Sequence, residues 1–498
     1  MFLHCLALPN HQDLSRYLLS AVLGSLLSFS TATAAQALSP CRVAGFSTQV
    51  QCGSVQRALN PDQPKSAQID VHYVVVPALA RRKLADPVFL LAGGPGQSAI
   101  NLAPPLTKQL RRLNNRRDLV FVDQRGTGRS APLQCDDDQR SPLAQQLDPV
   151  RRSALMRQCL GLLQKLPYGD LRFFTTSLAM QDIDAVRGAL GAQRVNLIGG
   201  SYGTRAALEY ARQFPQQVRR MVIDGVAPPD IALPASVSTD SQSAFNALLA
   251  SCEQDTSCLK AYPKLRGDWA ALLAQLPQAV TLTHPLTGAQ ERLTLTREMV
   301  LSSVRGPLYS PALTSALPYA ITQAKQGRYD ALMGLSGALA SNKSDRLALG
   351  MHLSVVCAED IPRLATSTDK PGADFGGEFG QLYIDTCAYW PRGAVADAFY
   401  TIPASNAPVL VLSGGLDPVT PVRHGTRITQ ALGSKAQHVV VPNAGHGVMT
   451  LECMRDVLYR FIDSENDAQA TAIDASCVKT IPRPPAFMPV TNTALTTP

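Results

Sequence analysis

The chain has 498 residues, 45% of them apolar and 17% charged, so it can bury a large core and is neither disordered nor low-complexity. Its 34 glycines and 36 prolines follow no period, which excludes a collagen-like array. Lys and Arg number 46 against 38 Asp and Glu, a net charge of +8. With no long basic run and no aromatic–basic interleaving, nucleic acid is not an expected partner.

Residues 1–35 read as an export signal. Arg16 precedes the apolar run Tyr17–Phe29, and Ala32-Thr33-Ala34 fits the small-residue cleavage pattern. The run is short for a bilayer span, and a retained anchor is the competing reading. Cys41, in L-S-P-C, resembles a lipid-attachment cysteine only loosely, because Pro40 is a poor residue before it. No later stretch is apolar enough to cross a bilayer. The mature chain is therefore expected to be exported, periplasmic or secreted, with no stable membrane span.

Of the eleven cysteines, Cys5 lies before the proposed cleavage and ten remain. An even number suits an oxidising compartment. Pairing in sequence order is the simplest scheme: Cys41–Cys52, Cys135–Cys159, Cys252–Cys258, Cys357–Cys387 and Cys453–Cys477. A zinc site is the rival, but neither C-x-x-C nor H-E-x-x-H occurs, so no metal is expected.

Downstream, a β-like stretch covers Ile69–Val76. Short apolar runs follow at Val88–Leu91, Leu119–Val122, Val195–Ile198, Arg220–Ile223, Val409–Leu412 and His438–Val441. Most of them end in a Gly-rich or polar turn, with helix-like sequence between. Such runs read as buried parallel strands of an α/β sheet, whose sites lie at the strands' C-terminal edge. The span between the runs near 220 and 410 lacks this rhythm and shows helical periodicity, as in Phe245–Leu259 and Trp269–Leu276. The expected organisation is a core at 36–230 and 401–498, interrupted at 231–400 by a mainly helical cap over the catalytic edge. The tail after Cys477 is expected to be extended, packed on the surface or loose.

Gly199-Gly200-Ser201-Tyr202-Gly203 fits G-x-S-x-G between an apolar strand and the helix-forming Thr204–Tyr210. That is the setting of a nucleophile elbow, which exposes Ser201 at a helix N-terminus. A serine hydroxyl needs a base, and this topology places an acid and then a histidine after it. His446, between Gly445 and Gly447, is the candidate base. Asp417, in G-G-L-D-P, is the candidate acid that orients it. His424 and His438 are rival bases, and Asp224 is the rival acid. The backbone N–H groups of Tyr202 and Gly94 are the candidate oxyanion hole.

Together, G-G-P-G-Q-S (93–98), D-Q-R-G-T-G-R-S (123–130), G-G-S-Y-G-T (199–204), D-G-V-x-P-P (224–229), the G-x-x-D-P-V-T-P region (414–421) and G-H-G (445–447) resemble the proline iminopeptidase and tripeptidyl aminopeptidase group of α/β-hydrolases. The match runs from about residue 65 to 480. The exported, cysteine-bearing form looks more like the tripeptidyl branch. One departure is Ala92, where small members of the group carry His before G-G-P-G. The resemblance implies an α/β-hydrolase fold with a mostly parallel sheet, no cofactor, and peptide substrates with a free N-terminus. It implies a carboxylate near the lid for the substrate ammonium, and Glu359 and Asp360 are the candidates. An ester hydrolase with the same triad is the alternative. Asp123 and Arg125 are expected to form a structural ion pair beneath the oxyanion loop.

Overall fold

The computed structural model describes residues 38–489, apart from 136–138, 147, 339–345 and 378–379. The expected export signal lies outside the described residues. Among those described, nine strands form one sheet: β1 (Ser39–Cys41), β2 (Val50–Ala58), β3 (Gln68–Val76), β4 (Val88–Leu91), β5 (Leu119–Val122), β6 (Val195–Gly200), β7 (Val218–Asp224), and, after an excursion holding the hairpin β8 (Gln278–Thr283) and β9 (Gln290–Leu295), β10 (Val409–Gly414) and β11 (Ala436–Val441). The spatial order is β1-β2-β3-β5-β4-β6-β7-β10-β11. From β5 to β11 all pairings are parallel, while β1, β2 and β3 add on antiparallel.

The apolar runs form strands because both faces of the sheet are covered. Along β4, Phe89 and Leu91 join one core layer while Val88 and Leu90 join the other. The same alternation sends Leu197 and Ile223 one way, Ile198 and Val222 the other. Helices Thr176–Ala189 and Tyr202–Gln213 pack on the first face, and Ala99–Gln109 and Glu452–Asp463 on the second. Each fully buried Val, Leu, Ile or Phe contributes about 1.5–3 kcal/mol by leaving water. A polar face would therefore abolish the layer.

Between β7 and β10 the chain leaves the sheet for helices that include Leu233–Gln254, Leu265–Ala274, Arg297–Leu308 and Leu317–Lys325, and for the β8–β9 hairpin. This region has its own core, in which the Phe245 ring meets Trp269 at a tilt, centroids 4.6 Å apart, in the same cluster as Leu295, Val304 and Ile321. The hairpin was not expected, because its strands alternate exposed and buried residues instead of running apolar.

All five cysteine pairs are bridged in sequence order: Cys41–Cys52, Cys135–Cys159, Cys252–Cys258, Cys357–Cys387 and Cys453–Cys477. Each closes a short loop, for which chain entropy gives about 2–4 kcal/mol. That arrangement fits an exported protein. Among the described residues no helix is long and apolar enough to cross a membrane. Within residues 481–489 the tail is extended, and Phe487 anchors it: its N donates to Ser315 O (2.9 Å), and its ring meets Tyr319 edge-on at 5.2 Å.

Candidate active site

Ser201 stands in the turn between β6 and helix Tyr202–Gln213, with φ 55° and ψ −125°. A non-glycine residue in this region is strained by about 1–3 kcal/mol, and such strain gathers at functional sites. The turn closes only because its neighbours are small. A β-carbon on Gly199 would overlap the Gly203 carbonyl, and one on Gly203 would overlap the Leu91 carbonyl of β4. Thr204 locks the turn by donating its N–H (2.9 Å) and hydroxyl (2.6 Å) to Ser201 O, while Ser201 N donates to Asp224 O at 2.8 Å. The serine thus sits at the start of a helix whose free N–H groups favour a nearby anion.

His446 lies in the loop after β11, and its Nδ1 is 2.8 Å from Asp417 Oδ2 and 3.1 Å from Thr420 Oγ1. Asp417, in the loop after β10, is buried and held by three further donors at 2.9 Å: Val419 N, Thr420 N and Thr420 Oγ1. Burial opposes its charge, but His446 and the two backbone N–H groups prevail and hold its carboxyl below the usual range. For His446, too, burial works against the charge. The Asp417 carboxylate outweighs it and raises the imidazole above its ordinary 6.5. The His446 N–H donates to the Tyr309 carbonyl at 3.0 Å, and the two rings meet edge-on at 5.3 Å.

The rivals are engaged elsewhere. His424 Nε2 faces Asp240 at 3.1 Å, and His438 Nε2 faces Ser413 Oγ at 3.0 Å. Asp224 accepts from Val448 N and Met449 N at 2.8 Å, bracing the backbone after His446. Burial pushes its carboxyl up to about 6.

The loop Gly93–Gly96 follows β4 and approaches the serine: a β-carbon on Gly93 would be 3.2 Å from Ser201 Cβ. Gly94 and Ser201 line the same cavity. The Tyr202 side chain turns away into the interior, its hydroxyl 2.6 Å from Thr176 Oγ1. Beneath the loop, Asp123 and Arg125 do not pair with each other. Asp123 accepts from Ser98 Oγ (2.7 Å), Ile100 N (3.1 Å) and Arg129 N (3.2 Å), fixing the start of helix Ala99–Gln109. Arg125 forks onto Asp182 at 2.7 and 2.9 Å. Asp182 comes from helix Thr176–Ala189, and nothing in the local sequence marks it as the partner.

Glu359 and Asp360 are not brought to the cavity. Both are buried, 1% and 2% exposed, against Arg205 of the helix that follows Ser201. Asp360 takes the guanidinium at 2.9 and 3.1 Å. Glu359 accepts Thr176 N (2.7 Å) and Thr176 Oγ1 (2.8 Å), and burial raises its carboxyl to about 7. A buried cation has taken the two acids that sequence reasoning assigned to a substrate ammonium.

Ser201 and His446 face one cavity of about 1120 Å³, which lies between the C-terminal edge of the sheet and the β7–β10 excursion. Leu102, Leu155, Met156 and Val237 make much of its wall apolar, and Arg152, Glu298, Arg305 and Tyr309 add polar groups. Sequence reasoning missed all four. They lie in stretches with no motif, and only the fold turns them inward.

Comparison with known proteins agrees with this architecture. The family profile described as alpha/beta hydrolase fold matches residues 86–451. Serine protease Hip1 of Mycobacterium tuberculosis is 26% identical over 445 residues, covering 81% of this chain and 85% of that protein. Carboxylesterase B of the same organism is 27% identical over 422 residues, covering 77% and 78%. Tripeptidyl aminopeptidase of Streptomyces lividans is 31% identical over 193 residues, 36% of each chain. With its elbow after β6 and a profile match over most of its length, the chain belongs to the α/β-hydrolase fold family.

Proposed function

We propose that the chain is an exported serine peptidase that releases residues or short peptides from free peptide N-termini through an acyl-enzyme. The observation that carries this reading is the His446–Asp417 pair, 2.8 Å apart, opening on the same cavity as a serine held at φ 55°. Similarity to proteins named serine protease and tripeptidyl aminopeptidase supports it.

In the proposed reaction Asp417 keeps the Nδ1 proton of His446 in place, leaving Nε2 free to take the Ser201 proton. Ser201 Oγ attacks the scissile carbonyl, and the N–H groups of Gly94 and Tyr202 hold the oxyanion. His446 then protonates the leaving amine, and water releases the acyl group by the same path. With Glu359 and Asp360 held by Arg205 and Asp224 spent on backbone N–H groups, the cavity-lining carboxylate that could meet an ammonium is Glu298, which would give up its 3.2 Å contact with Arg152 to do so.

A carboxylic-ester hydrolase is the second reading, favoured by the apolar wall and by similarity to a protein named carboxylesterase B. Turnover of free-amine and N-blocked peptide anilides, and of short acyl esters, separates the two. The peptidase reading expects the free-amine anilide to be cleaved fastest. It fails if blocking the amine changes nothing or if only esters react. Ser201→Ala should silence every substrate, and surviving turnover would remove Ser201 from the chemistry.

A further inference from the structure

The cavity that holds Ser201 carries more cationic than anionic side chains. Asp224 is spent on backbone N–H groups, and Glu298 is paired with Arg152 at 3.2 Å. Arg305 is different. Its Nε donates to Ser241 Oγ at 3.2 Å and its Nη2 to Tyr309 Oη at 3.1 Å. Among the described residues no carboxylate pairs with it. The two neutral hydroxyls hold the guanidinium in one orientation and leave its charge uncompensated. Arg151 lines the same cavity and adds a second cation.

The location is specific. Arg305 sits in the last turn of helix Arg297–Leu308, and Tyr309 caps the end of that helix. The guanidinium carbon is 5.5 Å from the Tyr309 ring centre, and that ring meets the His446 imidazole edge-on at 5.3 Å. Ser241, its other partner, donates to the carbonyl of Pro418, the neighbour of Asp417, at 3.4 Å. One aromatic ring therefore separates the cation from the base. The group that the base protonates is the leaving group, so this wall flanks the leaving portion of the substrate.

We propose that Arg305 is a specificity-determining residue that binds a carboxylate on the leaving portion of the substrate. The inference rests on the hydrolase reading of the same cavity and adds the chemistry of what is released: an anionic amine or alcohol is preferred. A guanidinium fork matches a carboxylate in two parallel hydrogen bonds.

The test compares peptidyl 4-aminobenzoate with peptidyl 4-aminobenzamide, and the matching esters of 4-hydroxybenzoate and 4-hydroxybenzamide. Within each pair the shape is kept and the charge changes; the accompanying change in leaving-group acidity is removed by dividing by the ratio for alkaline hydrolysis. The wild-type enzyme should favour the carboxylate about tenfold in kcat/KM, mostly through KM, as a charge-assisted hydrogen bond allows. Molar salt should shrink the preference. Arg305→Gln should bring the ratio to about one, since a neutral side chain has no charge to offer. Should that variant fail to fold, Arg305→Lys decides, because it lacks the fork and should lower the ratio. Turnover by the wild type with no preference, or a ratio unmoved in the folded variant, overturns the inference alone. No turnover of either amide or ester pair overturns the hydrolase reading and this inference together.

Discussion

Asp417→Asn tests the site with the least disturbance to the fold. Asp417 is 2% exposed and accepts from Val419 N, Thr420 N, Thr420 Oγ1 and His446 Nδ1. Asparagine has the same shape, and its carbonyl can keep the two backbone donors. Its NH₂ then faces His446 Nδ1, which must become an acceptor. The imidazole is forced to carry its proton on Nε2, the atom that should receive the Ser201 proton. The wrong tautomer is expected to lower kcat by about 10⁴. That corresponds to about 5 kcal/mol of lost transition-state stabilisation. Steady-state kinetics on a peptide anilide read the loss, and the thermal midpoint checks that the fold is intact. Asp224→Asn should cost far less, because Asp224 touches the backbone at 448–449 and not the imidazole. An Asp417→Asn enzyme within tenfold of wild type, or a larger loss in Asp224→Asn, would refute the assignment.

Two further outcomes follow. His446 is raised above 6.5 and acts only when neutral, so kcat/KM should fall as pH drops through an apparent pKa above 6.5. A pH profile whose acid limb lies below that value contradicts the Asp417 pairing. Arg205→Met leaves Glu359 and Asp360 buried without their cation and should destabilise the fold by about 3–5 kcal/mol. Glu359→Gln should cost much less, since burial already disfavours that charge. Chemical denaturation of the two variants checks the order, and equal stability would show that the buried triad is not held as described.

The parts of the fold visible in sequence were those set by burial on both faces. β4 and β5 are uninterrupted apolar runs, and the shorter apolar stretches Leu197–Ile198, Met221–Ile223, Val409–Leu412 and Val439–Val441 made β6, β7, β10 and the partly buried β11 readable. β2 was not, because Val50–Ala58 mixes Gln, Gly, Ser and Arg along a half-exposed strand near the sheet's edge. The antiparallel direction of β3 was also hidden, since its alternation says nothing of which way its neighbours run. At the candidate site, Ser201, Asp417 and His446 were proposed from glycine-bearing turns at strand ends. Arg205 did not: it lies in a helix buried almost all round, where a lone arginine has no local signature. The partners of Arg125 and Glu359 come from segments 57 and 183 residues away, distances that only the tertiary structure spans.

The amide of His446 is moored to the Tyr309 carbonyl, at the end of helix Arg297–Leu308, rather than to the sheet. This wall of the chamber is thereby also a strut of the proposed base. A motion that lifted this helix to admit a bulky chain would slacken the base at the same moment. On the proposed reading, a substrate entering past this helix would disturb the backbone mooring of the base, while one reaching the serine by another route would leave it intact.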